Sequence, residues 1–99
     1  MKKLFFGALA ALTLAAGGTF AGTLDDVKAR GSLLCGVSTG APGFATVDDS
    51  GKDIGFDVDY CRAVAAAVFG DPMAVKFVGL TSSVRFTALA AGEVDILAR

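Results

Sequence analysis

The sequence contains no histidine. That excludes a Cys/His metal cluster, a Ser-His-Asp triad and an imidazole general base. Proline is scarce, at two residues, and charged side chains make up an ordinary 19% against 54% apolar. This balance excludes a disordered chain, a collagen-like repeat and a low-complexity linker. Positive charge is not in excess either: the net charge is −1 and the basic residues are scattered, so no nucleic-acid partner is expected. The 99 residues suffice for one small domain or part of a larger one.

An apolar run of the ~20 residues needed to span a membrane is also missing. The uncharged run over residues 4–16 stops at Gly17 and Gly18. Lys2 and Lys3 precede it, and Thr19-Phe20-Ala21 follows as a small-x-small site. Residues 1–21 thus read as a cleavable secretory signal peptide, without the cysteine that a lipid anchor needs at the cleavage point. Cleavage leaves seven of the nine basic residues against ten acidic ones, a mildly acidic protein. Its two cysteines, Cys35 and Cys61, then face an oxidising compartment. They are either bridged or two buried thiols, and spacing does not decide between these.

What remains is an alternation of element signals. Residues 23–29 form a short helix that Thr23 can cap, with Asp25 and Asp26 at its positive end and Gly31 at its stop. Residues 33–37 are a continuous apolar strand, and the Ser/Thr/Gly/Pro-rich loop 38–43 follows it. Two short strands, 44–47 and 52–56, flank a turn with Gly51 at a positive-φ position. Residues 57–69 form the best-defined helix, with Val58, Cys61, Val64, Ala65 and Val68 on one face. The alanines at 63 and 65–67 let it lie close on a sheet. Asp57 and Asp59 suit a cap and a dipole partner far better than a catalytic pair. A strand over 74–78, a helix from a Ser82 or Ser83 cap to Ala91, and a strand over 94–98 complete the pattern. In that last helix Val84, Ala88 and Leu89 are expected to face inward.

Strands alternating with helices predict an α/β fold with a mostly parallel sheet and a β-hairpin insertion. Ligands of such sheets sit beyond the carboxyl ends of the strands. The loop 38–44, the turn 79–82 and the segment after Ala98 should meet there. The last strand lacks a covering element after it, so the chain reads as the N-terminal piece of a larger protein.

The run Gly55-Phe56-Asp57-Val58-Asp59, the helix it opens, the Cys35 to Phe44 loop, FGDP at 69–72 and RFTALAAGEVDIL at 85–97 carry a resemblance. The sequence resembles the family 3 periplasmic solute-binding proteins that deliver polar amino acids to ABC transporters, in particular the general L-amino-acid-binding subgroup. Tyr60 departs mildly from the family pattern. The resemblance implies a periplasmic location, no cofactor, an L-amino-acid ligand held between two α/β lobes, an inner-membrane ABC permease as partner and a monomer when full length. Residues 22–99 would be the N-terminal part of lobe 1, with the second lobe absent. An arginine that relatives use to clamp the ligand α-carboxylate would lie past Arg99.

The resemblance also implies ligand contacts at Ser38, Phe44, Ser82 and Arg99. The aromatic that relatives carry three places before Phe44 is Ala41 here. Each position has a structural alternative: turn residue, core, helix cap and solvated chain end respectively. Arg85 is singled out on chemistry, because its planar fork sits one turn into a helix that starts at the cleft and suits a carboxylate of the ligand or of the protein. Two other functions stay open at this point: a dehydratase-like periplasmic enzyme on the same fold, and a truncated remnant that binds nothing.

Overall fold

The computed structural model describes residues 22–99, so the signal peptide expected over residues 1–21 lies outside the described residues. In chain order the elements are helix α1 (Thr23–Arg30), strand β1 (Leu33–Ser38), hairpin strands β2 (Thr46–Val47) and β3 (Asp53–Ile54), helix α2 (Phe56–Phe69), strand β4 (Val75–Leu80), helix α3 (Arg85–Ala90) and strand β5 (Ile96–Leu97). β1 is the middle of a three-stranded parallel sheet in the order β4-β1-β5, while β2 and β3 form a separate antiparallel hairpin. Among the described residues no helix is long and apolar enough to cross a membrane.

The side-chain alternation of β1 divides the core. Leu33, Cys35 and Val37 are buried on one face with Val27 of α1 and Val58, Cys61 and Ala65 of α2. Val75, Phe77 and Ile96 from the flanking strands pack on the same face. On the other face Leu80, Ala88 of α3 and Val94 cluster with Val78 and Leu97. Gly36 lies beneath that second cluster, where an added Cβ would come within 2.8 Å of Leu80 and 2.9 Å of Leu97. Cys35 and Cys61 are joined in a disulfide that ties β1 to α2, with Cα atoms 6.3 Å apart. Both cysteines are fully buried.

The expected caps do not hold. Thr23 is the first residue of α1 and Asp57 the second of α2, each inside its helix rather than at the cap, and no side chain caps any of the three helices. For α2 the reason is tertiary: the amides of Phe56 and Asp57 donate to the carbonyls of Gly43 and Phe44, at 2.9 and 3.0 Å. The hairpin loop thereby satisfies donors that a side-chain cap would otherwise take. Gly55 makes this approach possible, with φ at 128° and no Cβ to strike the Phe44 carbonyl. In α3 the Thr81 carbonyl accepts from the Val84 and Arg85 amides, so neither Ser82 nor Ser83 acts as the cap.

Three further expectations need correction. Val84 and Leu89 are exposed, and only Ala88 of the α3 trio is buried, because a six-residue helix presents a single position to the sheet. Ala63 and Ala67 are exposed, and Ala65 alone is buried against the strands. Phe56 begins α2 rather than ending a strand, and the strands expected over 44–47 and 94–98 shorten to two residues each.

Candidate functional site

The carboxyl ends of the three parallel strands form one edge. Ser38 ends β1 and is the register partner of Leu80, the last residue of β4. The Ala98 amide donates to the Gly36 carbonyl at 2.8 Å, which carries the chain from β5 to Arg99 on the same edge. The end of β1, the turn after β4 and the chain after β5, the segments expected to meet beyond the strand ends, therefore share this edge. It is an open ledge; the described residues enclose no cavity.

Ser82 and Arg99 come together directly. Arg99 Nη2 donates to Ser82 Oγ at 2.8 Å, and Arg99 Nη1 donates to the Leu80 carbonyl. Ser82 is thus not a helix cap, and Arg99, though exposed, tethers the ends of β4 and β5. Beside them the hydroxyls of Thr81 and Ser83 share a hydrogen bond of 3.2 Å. Ser38 stands at the neighbouring strand end, half-buried, where its hydroxyl accepts a long 3.5 Å bond from the Gly40 amide.

Phe44 and Arg85 do not join this cluster by any hydrogen bond or ion pair. Phe44 is 55% exposed, which removes the core alternative, and its carbonyl is committed to the start of α2. The Ala41–Ala45 bridge closes the loop behind it. Arg85 is half-buried with its guanidinium 4.7 Å from the centroid of the Phe86 ring, a cation–π arrangement. Its buried Nε has no hydrogen-bond partner among the described residues. The protein carboxylate offered as one of its two partners is not found, since the ion pairs among the described residues are Arg30–Asp95 and Arg62–Asp59.

Sequence reasoning missed two contributors. The Leu80 carbonyl is invisible to side-chain arguments and carries the second Arg99 bond. Asp95 was read only as part of a motif. It accepts from the Leu34 amide at 2.7 Å and from Arg30, locking β5 to β1 and α1 at the amino ends of the strands, so it holds the sheet from the end opposite the ledge. A charged residue between the buried Val94 and the half-buried Ile96 was the available signal.

Residues 33–99 match the family model of the bacterial extracellular solute-binding proteins, family 3. The glutamate/glutamine/aspartate/asparagine-binding protein BztA of Rhodobacter capsulatus is 60% identical over 98 residues, which is 99% of this chain and 29% of that protein. The general L-amino acid-binding periplasmic protein AapJ of Rhizobium johnstonii is 54% identical over 100 residues, again 99% of this chain and 29% of the relative. Among solved structures, a periplasmic binding protein from Brucella ovis with glutathione bound superimposes with a TM-score of 0.76 at 63% identity. That match covers 79% of this chain and 24% of the other. The chain thus spans under a third of the length of these relatives.

Proposed function

This chain belongs to the bacterial extracellular solute-binding proteins of family 3, and from that premise we propose that it forms one jaw of an amino-acid-binding cleft in the periplasmic component of an ABC transporter. On this reading residues 22–99 are the N-terminal part of the first lobe, and residues 1–21 direct export. The ligand is an L-amino acid, and the closed protein delivers it to an inner-membrane permease. Relatives named for glutamate, glutamine, aspartate and asparagine, and for general L-amino acids, support that ligand class.

The observation that carries the reading is the convergence of Ser38, Ser82 and Arg99 at the carboxyl edge of the parallel sheet. That is where open α/β sheets hold ligands. The groups are hydroxyls and a guanidinium, suited to hydrogen-bonding a zwitterion as the lobes close. Arg85, with its unpartnered Nε, is a second cationic contact on the same reading. Phe44 contributes an exposed aromatic wall. Relatives named as amino-acid-binding proteins favour binding over dehydratase chemistry.

The test uses the chain in its complete open reading frame. Thermal-shift screening against the L-amino acids, followed by calorimetry, is expected to give saturable binding and a ligand-dependent rise in Tm. Turnover of a prephenate-type substrate, or no amino-acid binding at all, would overturn the reading.

A further inference from the structure

Ser82 and Arg99 are 17 positions apart yet share a 2.8 Å hydrogen bond. A guanidinium can only donate, so Ser82 Oγ is used as the acceptor. The hydroxyl still has one O–H proton. No protein acceptor among the described residues takes it, and the adjacent hydroxyls of Thr81 and Ser83 are paired with each other. Arg99 is held in place by its second bond, to the Leu80 carbonyl at the end of β4. No carboxylate among the described residues offsets its charge. A charge-assisted donor on Oγ polarises the O–H and strengthens it as a donor in turn.

We propose that Arg99 is a positioning residue that makes Ser82 a donor aimed at an acceptor oxygen of the bound amino acid. The two side chains together present N–H and O–H protons and a guanidinium charge that no carboxylate among the described residues offsets. Such a ledge favours a carboxylate or amide carbonyl over an ammonium group. The inference rests on the amino-acid cleft proposed above and deepens it by naming which end of the ligand faces this edge. The acceptor is either the α-carboxylate or a side-chain carboxylate or amide, and the experiment separates these two sources.

Calorimetry on the complete protein compares the wild type with Arg99→Met, Ser82→Ala and the double variant, using L-glutamate, L-glutamine and L-alanine. Arg99→Met is expected to weaken glutamate binding about tenfold, the size of one charge-assisted hydrogen bond. In the Ser82→Ala background the same change is expected to cost less than about threefold, because the partner through which it acts is gone. Arg99→Lys, which keeps the charge and reaches fewer acceptors, is expected to recover part of the loss. An equal loss for alanine assigns the ledge to the α-carboxylate; a loss confined to glutamate and glutamine assigns it to the side chain. Unchanged affinities, or an undiminished effect in the Ser82→Ala background, overturn the role of Arg99 and leave the cleft reading standing. A wild-type protein that binds none of the three overturns both. Ligand-free unfolding of each variant confirms that it is folded, and Arg99→Lys carries the comparison if Arg99→Met is not.

Discussion

Arg30 and Asp95 meet as a bidentate pair across 65 positions of chain, with Nη2 2.9 Å from Oδ1 and Nη1 3.0 Å from Oδ2. The Asp95 side chain is 8% exposed and also accepts from the Leu34 amide, so it clamps α1, β1 and β5 at one point. Removing the acceptor strands a backbone donor, whereas removing Arg30 leaves Asp95 its bond to Leu34. Asp95→Ala is therefore expected to destabilise by about 2 kcal/mol and Arg30→Ala by about half that. Urea unfolding of the two variants checks the order, and a larger loss for Arg30→Ala would refute it.

The Cys35–Cys61 disulfide closes a loop with a sequence separation of 26. Chain-entropy reasoning puts its contribution at about 3 kcal/mol. Cys35→Ala with Cys61→Ala should lower the unfolding midpoint accordingly, and a reductant should do the same to the wild type and nothing to the variant.

Gly55 and Gly51 both have positive φ, at 128° and 84°. A Cβ at Gly51 meets open space, while one at Gly55 strikes the Phe44 carbonyl and comes within 2.9 Å of the Ala45 amide. Gly51→Ala is expected to cost about 1 kcal/mol, the left-handed penalty alone. Gly55→Ala is expected to cost several-fold more, because the hairpin must move away from the start of α2. Equal midpoints for the two variants would refute the packing argument.

Asp48 organises the hairpin turn. The Ser50 hydroxyl donates to its carboxylate, as do the Lys52 and Ser50 amides, and these bonds hold its carboxyl below the usual carboxylate range. The folded state thus favours the charged form. Its contribution is complete above the unfolded pKa and is lost as pH falls through the lowered folded one. An NMR titration of the carboxyl carbon is expected to place the Asp48 midpoint below the usual aspartate value, and Ser50→Ala should raise it.

Ser38 makes one long bond within the protein. Ser38→Ala should leave the ligand-free midpoint within about 0.5 kcal/mol of wild type. It should still weaken amino-acid binding measured by calorimetry on the complete protein. Unchanged affinity would remove Ser38 from the site.

Much of this architecture was legible along the chain. Gly31, Gly51 and Gly70 mark two helix ends and a turn, and each takes the positive φ that its position requires. The three- and four-residue spacing of Val58, Cys61 and Ala65 placed one face of α2 against the sheet. The order of elements predicted parallel pairing. These are consequences of local periodicity and backbone sterics, which any short window of sequence contains.

The caps, the disulfide and the Ser82–Arg99 contact were decided only by the tertiary structure. Asp57 has the chemistry of a cap, but the helix begins one residue earlier, where the hairpin carbonyls of Gly43 and Phe44 take the amides of Phe56 and Asp57, and Asp57 is left inside the first turn. Whether Cys35 and Cys61 bond depends on the 6.3 Å between their α-carbons, a distance set by how α2 lies on β1. Ser82 and Arg99 meet because parallel crossovers return β4 and β5 to the two sides of β1 with their ends level. Such pairings depend on the register of strands far apart in the chain, and no local pattern encodes that register.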